Sequence, residues 1–225
     1  MSPARSVSSS PEPAGAAPVR LLLASNNRHK LEELSAIFAD LPVTLVLPEQ
    51  VGLDREVEET GTTFEENAVL KATTFACASS LPALADDSGL EIDALGGAPG
   101  VHSRRYAGPE ASDADRIALV LEQLSGVPEA RRTARFRCTM ALATPHGLVG
   151  VVEGTCEGRI AFAPRGRHGF GYDPIFLLPE RGCTMAELAA AEKNQISHRA
   201  RAAQHARRLI ERSLAERPAG KGEQA

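Results

Sequence analysis

The chain has 225 residues, 43% of them hydrophobic, enough for one large domain with a sizeable core. Its net charge of -4 excludes a global basic field for nucleic acid, so an anionic ligand would need positive charge gathered locally. Four scattered cysteines, Cys77, Cys138, Cys156 and Cys183, form no C-x-x-C pair, which argues against zinc and reads as small buried residues of a reducing compartment.

Residues 1–18 are rich in Ser, Pro and Ala, with few large apolar groups to offset the entropy of ordering; they are predicted to be disordered, as is the tail 218–225. Between them, 19–217 reads as a single domain without internal repeats. The apolar stretch Leu21 to Ala24 is short and preceded by Arg20, so no secretory signal is read there. No run approaches membrane-spanning length, and a soluble cytoplasmic protein is expected.

Strand and helix patterns alternate along 19–217. Val19 to Ala24 is predicted as a strand. Lys30 to Phe38 is predicted as a helix with Leu31, Leu34, Ile37 and Phe38 on one face. Val43 to Leu47 is a second strand. A helix over 63–78 begins with Thr63 and Glu66 at capping-box spacing. Leu81 to Ala85 is a third strand, with Leu90 to Leu95 its continuation beyond an Asp-Asp turn. Asp113 to Leu124 is helical, with Ile117, Val120, Leu121 and Leu124 at i, i+3, i+4 and i+7. The second half is more β-like. Arg135 to Thr144 alternates Phe136, Cys138, Met140 and Leu142 with polar partners. A turn at 145–147 leads into Leu148 to Glu157, and Gly158 is predicted to turn again into Arg159 to Ala163. Ile175 to Leu178 is a strand, and helices over 184–190 and 197–214 close the domain. The fold class is α/β with a mixed β-sheet flanked by helices.

Chemistry concentrates in a few segments. Asp86 and Asp87 stand together in Ala-Asp-Asp-Ser-Gly at 85–89, directly after an apolar run. Adjacent acids there suit either a turn closing a strand or an oxygen-rich site for a cation such as magnesium. The first strand runs into Ser25-Asn26-Asn27-Arg28-His29-Lys30 and then a helix, whose free N–H groups and Lys30 make a phosphate cradle without the Walker A pattern. Glu58, Glu59, Glu65 and Glu66 flank the start of the second helix; acids there complement its dipole and could also join Asp86 and Asp87 around one ion. In Gly166 to Asp173, glycines flank Phe170, whose ring could stack on a base. Lys193, His198 and Arg199 cluster where the last helix opens, a place where cations oppose the dipole, which suggests an anionic or base-reading role. Arg201, Arg207, Arg208 and Arg212 read as a solvated face.

Together these segments resemble the inosine triphosphate pyrophosphatase (Ham1-like) family. The carrying residues are Ser25-Asn26-Asn27-x-x-Lys30, Glu59-Thr60-Gly61-x-Thr63-Phe64-x-Glu66-Asn67-Ala68-x-x-Lys71-Ala72, Ala85-Asp86-Asp87-Ser88-Gly89-Leu90, Gly97-x-Pro99-Gly100, Arg105-Tyr106-Ala107-Gly108, Gly169-Phe170-Gly171-Tyr172-Asp173-Pro174, Met185-Ala186-Glu187-Leu188 and Lys193-Asn194-x-x-Ser197-His198-Arg199. Each is weak alone, and they occur in family order from Arg20 to Leu214. The resemblance implies hydrolysis of dITP, ITP and XTP to monophosphate and pyrophosphate. It also implies magnesium, a homodimer, and an elongated sheet with the active cleft between two lobes. On this chain it implies Asp87 as general base and metal ligand, and Glu58 as second acidic metal partner. Ser25, Asn26, Asn27, Arg28, His29, Lys30 and Ser88 match the phosphate side. Phe170, Gly171, Tyr172, Asp173, Lys193, His198 and Arg199 match the base side. The chain departs from the family pattern at Asn26 in the first loop and at Arg104, where the family often has Ala.

Asp86 is expected to oppose ionisation of Asp87 by like charge, and magnesium to favour it. A Maf-like pyrophosphatase for modified pyrimidine or methylated nucleotides is the alternative enzyme, and a nucleotide sensor without turnover the alternative class. Nucleic-acid binding through the last helix is disfavoured by its lack of interleaved aromatics.

Overall fold

A computed structural model describes residues 17–54 and 57–216. The predicted disorder at both ends lies outside the described residues, apart from positions 17 and 18, which belong to no helix or strand. One seven-stranded sheet runs in the order β2-β1-β3-β4-β5-β6-β7. Its strands are β1 (Val19–Leu23), β2 (Val43–Val46), β3 (Ala83–Ile92), β4 (Thr133–Thr144), β5 (Gly147–Ile160), β6 (Phe176–Leu178) and β7 (Cys183–Thr184). β1 pairs parallel with β2 and β3, and every later pairing is antiparallel, so the sheet is mixed. Among the described residues five α-helices flank it: α1 (Arg28–Ile37), α2 (Phe64–Ser79), α3 (Asp113–Gln123), α4 (Ala190–Ile196) and α5 (His198–Ala215).

Burial on both faces of the central strands follows from period-2 alternation. Leu21, Leu23 and Leu84 pack with Leu34 of α1, its C-cap Phe38 and the Ala202, Ala203, Ala206 stripe of α5. Leu22, Ala24, Ala83 and Ala85 face the other way, onto Ala68, Ala72 and Phe75 of α2. Farther along the sheet, Leu90, Ile92 and Phe136 pack with Ile117 and Val120 of α3, its C-cap Leu124, and Ile175 and Phe176. The first two clusters make one lobe and the third makes the other, joined by the long strands β3, β4 and β5. Among the described residues no helix is long and apolar enough to cross a membrane.

Three sequence expectations are corrected. β3 does not stop at an Asp-Asp turn; it pairs with β4 continuously from Ala83↔Ala143 to Ile92↔Ala134, because partners from other elements compensate the two acids. Gly158 makes no turn and lies within β5. A Cβ there would meet Leu177 O and Phe176 Cζ, both at 2.6 Å, so its smallness admits β6. The predicted helix over 184–190 is instead the end of β7, a 3-10 turn at Met185–Glu187 and the start of α4. Of the four cysteines, Cys138 and Cys156 are buried, Cys183 is half-buried and Cys77 is exposed, and all four thiols are free.

Candidate active site

Because side chains alternate along β3, Asp86 shares the face of Leu84 and Asp87 that of Ala83 and Ala85. The two neighbouring acids therefore look through opposite sides of the sheet.

Asp86 is fully buried. Lys30 of α1 pairs with its Oδ1, and Arg199 of α5 donates from Nε to Oδ2 at 2.8 Å. Burial raises its pKa, but the charges of Arg199 and Lys30 outweigh burial and hold the carboxyl well below the usual carboxylate range. Arg199 is committed on every guanidinium nitrogen, donating also to Glu33 Oε2 at 2.7 Å and Ser88 Oγ at 2.9 Å. Glu33 in turn accepts from Lys193 at 2.9 Å, and Lys193 donates to Asp173 Oδ2 at 2.6 Å. A buried chain of alternating charges thus ties β3, α1, α4 and α5 to the glycine-rich loop.

Asp87 faces α2. Lys71 Nζ lies 2.9 Å from Asp87 Oδ1 and 2.7 Å from Glu59 Oε1, so one ammonium bridges two carboxylates. Asn67 donates from Nδ2 to Asp87 Oδ2 at 3.3 Å, and its amide is turned that way because Oδ1 accepts from Gly61 N at 2.8 Å. Burial pushes the Asp87 carboxyl up, Lys71 pulls it down, and Glu59 pushes it up again. The like charge acting on Asp87 is therefore Glu59, and the expectation that Asp86 plays that part is corrected. Among the described residues no group of three or more His, Cys, Asp or Glu gathers for a metal. Two hard-oxygen carboxylates sharing one cation do fit magnesium, which takes its other ligands from water and substrate phosphates.

α1 starts at Arg28, two residues before the predicted Lys30. Asn27 caps it, its Oδ1 accepting from His29 N at 3.0 Å and Lys30 N at 3.4 Å, while Ser25 Oγ accepts from Asn27 N at 3.2 Å. On the far wall, Phe170 sits between glycines in a loop locked by Asp173, whose Oδ2 accepts from Phe170 N at 3.0 Å. A side chain at Gly169, φ 76°, would run into that carboxylate. The His29 ring stacks on Phe170 with centroids 5.4 Å apart, and Lys193 Nζ lies 4.9 Å from the Phe170 centroid. His198 stacks on Phe136 at 4.7 Å, and its buried Nδ1 has no hydrogen-bond partner among the described residues. Burial first, then Arg199 and Lys193, push its pKa well below the ordinary value, so it is neutral.

These groups wall a cavity of about 690 Å³ between the two lobes. Ser25, Asn26, Asn27, His29, Lys30, Asp87, Ser88, Phe170, Gly171, Tyr172, Asp173, Lys193, His198 and Arg199 all line it, which brings together most of the site anticipated from sequence. Two anticipated residues stand outside. Arg28 is exposed and pairs with Glu49 at 3.7 Å. Glu58 is exposed, and Glu59 takes its expected place in the wall; exposure alternates along 57–60, so an offset of one residue decides which acid faces inward. Lys71, Asn67 and Glu33 were missed as site residues. The i, i+4 spacing of Asn67 and Lys71 was the readable signal for the first two.

Seven Lys and Arg side chains line the cavity against four Asp and Glu. Cations still exceed acids when Asp86 and Glu33, behind the wall, are included. In a chain of net charge -4, this is the local concentration of positive charge that an anionic ligand requires.

A model of the Ham1 family matches residues 21–209. The dITP/XTP pyrophosphatase of Geobacillus kaustophilus is 55% identical over 182 residues, covering 81% of this chain and 89% of that protein. The enzyme of the same name from Bacillus subtilis is 47% identical over 190 residues, covering 84% and 96%. The solved structure of a HAM1 protein from Coxiella burnetii superposes with a TM-score of 0.79 at 44% identity, covering 86% of this chain and 99% of that one. A nucleoside-triphosphatase, or dITP/XTP pyrophosphatase, from Mycobacterium abscessus gives 0.68 at 45% identity, covering 84% and 97%. With the family's sequence pattern, its mixed sheet and a cation-rich cleft all present, this chain belongs to the Ham1 family.

Proposed function

We propose that this protein hydrolyses non-canonical purine nucleoside triphosphates, dITP, ITP and XTP, to the nucleoside monophosphate and pyrophosphate. The observation that carries this is the division of one cavity into two chemistries. Phe170, Lys193 and Asp173 form an aromatic and polar end, and Glu59, Lys71 and Asp87 form a charged end, in a cavity whose lining as a whole carries a surplus of cations.

Glu59 and Asp87 would hold magnesium at the charged end. Bound there, it would supply charge neutralisation for the phosphates and Lewis-acid activation of the attacking water. Asp87 takes the proton as a water oxygen bonds to the α-phosphorus and the bond to the bridging oxygen breaks, releasing pyrophosphate. Lys71 and Asn67 keep the Asp87 carboxylate oriented for this. The α1 N-terminus turns its dipole toward phosphate oxygens, with His29 N and Lys30 N already held by the Asn27 cap.

At the other end, the purine replaces the His29 ring on Phe170. Lys193 has three N–H bonds, and Asp173 and Glu33 take two of them. The third suits the 6-carbonyl of hypoxanthine or xanthine, whereas the adenine amino group would set donor against donor. An unmatched buried polar group costs about 1–3 kcal/mol, roughly 5- to 150-fold in selectivity. Arg199, matched to the base side, lines the cavity 5.5 Å from the Phe170 centroid and also braces Asp86, Glu33 and Ser88.

The Maf-like alternative is not favoured, since the matched family model and the relatives above are Ham1 proteins and dITP/XTP pyrophosphatases. The resemblance extends the proposal to a homodimer, read by light scattering. The deciding assay is a panel of purine and pyrimidine triphosphates with magnesium, scored for pyrophosphate and orthophosphate. Pyrophosphate released preferentially from dITP and XTP is expected; stepwise orthophosphate release or preference for a methylated pyrimidine would overturn the reading.

A further inference from the structure

Of the seven cationic side chains lining the cavity, six face a carboxylate at ion-pair distance. Arg104 is the seventh. Among the described residues its guanidinium has neither an ion pair nor a hydrogen bond, and its side chain is exposed on the cavity wall.

Its backbone, by contrast, is held from both sides. Arg104 lies in a 3-10 segment, Gly100–Arg105, that closes over Gly89 of β3, where a Cβ would meet Ser103 Oγ at 2.5 Å. Ser103 O accepts from Tyr172 Oη at 2.8 Å, and Arg104 O accepts from Arg116 NH1 at 2.9 Å. The next residue, Arg105, reaches Glu59 at 3.5 Å, beside Lys71 and Asp87. A fixed backbone therefore presents an unneutralised guanidinium on the cavity wall, one residue from the Arg105 that reaches the charged end. Such a group keeps all five donors in a planar fork matched to phosphate oxygens.

We propose that Arg104 is a polyphosphate-binding residue of this site, gripping the triphosphate tail of the substrate and the pyrophosphate it becomes. The proposal rests on the pyrophosphatase reading above and assigns the tail a contact which that reading does not contain. The other cavity cations already face carboxylates that offset their charge. Arg104 gives up only water.

The test compares the full-length protein with Arg104→Ala and Arg104→Lys. For dITP, KM should rise roughly tenfold in Arg104→Ala, the low end for a charge-assisted bond because the residue is exposed and screened. The change in kcat should be much smaller. The inhibition constant of inorganic pyrophosphate should rise by a similar factor, and that of the nucleoside monophosphate should not move. Arg104→Lys should recover part of the loss, and added salt should shrink the difference. Unchanged KM and pyrophosphate inhibition would overturn the proposal, as would equal weakening of the monophosphate, which would place the contact on the nucleoside. Calorimetric binding of inorganic tripolyphosphate to wild type and Arg104→Ala separates this from the wider reading. If no triphosphate is hydrolysed, the pyrophosphatase reading fails, while a roughly tenfold weaker tripolyphosphate affinity in the variant would still support Arg104 as the anion contact. Equal affinity would remove it.

Discussion

Replacing Asp86 by Asn tests whether the two neighbouring acids do different jobs. Breaking a buried ion pair by removing one partner costs about 3–5 kcal/mol. Two features move this case to the lower end. Arg199 retains Glu33 at 2.7 Å and Ser88 at 2.9 Å, and the Lys30 side chain, 15% exposed, can turn toward the cavity. A loss of about 3 kcal/mol is expected, which for a domain of this size lowers the thermal midpoint by roughly 6–12 °C. Urea and thermal unfolding followed by circular dichroism read it directly. The pH dependence supplies the sign. A carboxylate held below its unfolded pKa stabilises the fold above about pH 3.9 and loses that contribution as pH falls below it. The gap between wild type and Asp86→Asn should therefore be full at neutral pH and narrow in acid. Asp87→Asn should do the opposite. Burial already disfavours that charge, and Lys71 keeps Glu59 at 2.7 Å, so unfolding should stay within about 1 kcal/mol of wild type. Turnover should fall by about 10²–10⁴, the usual worth of a general base. A wild-type unfolding midpoint for Asp86→Asn would refute the claim that this carboxylate neutralises Arg199 and Lys30.

Lys71 pulls the Asp87 carboxyl down, so Lys71→Met should shift the acid limb of the kcat/KM profile to higher pH; an unmoved limb would mean that Asp87 is not the titrating base. Phe170→Ala removes the stacking platform, worth about 1–3 kcal/mol per base, and should raise KM for dITP roughly 5- to 150-fold with a smaller change in kcat; an unchanged KM would argue against stacking. Gly154→Ala puts a methyl onto the backbone of α5 at His198 and Ala202 and within 2.9 Å of Arg201 Cβ, so denaturant unfolding should show a loss of about 1–3 kcal/mol.

Local chemistry was readable without a fold. Thr63 and Glu66 form the capping box read from their spacing, and Ser197 caps α5. The apolar period of α3 appears as its buried face. The phosphate-cradle loop, the glycine-bracketed Phe170 and the opening of the last helix are local patterns too, and their residues converge on one cavity. What failed was every inference that required knowing a partner far along the chain. Acids at 86 and 87 looked like a strand end because nothing nearby could offset them. Asp86 is compensated by Lys30, 56 residues away, and Arg199, 113 residues away, and Asp87 by Lys71, 16 residues away. Gly158 looked like a turn because only the approach of β6 shows what its missing side chain admits.

The choice of Glu59 over Glu58, and of Glu33 as the joint between α1 and the base-side loop, belongs to the same class. A one-residue change of direction and a contact between α1, α4 and α5 leave no trace in composition or period. The amino-acid order alone determined the alternating elements, the helix caps and the set of reactive groups, because these depend on neighbours within a few residues. Only the tertiary structure decided that Asp86 is a buried anchor, that Asp87 faces the cavity, and that Arg104 has no carboxylate partner among the described residues. A side chain's charge environment is set by what the fold brings within a few ångströms, whatever its distance along the chain.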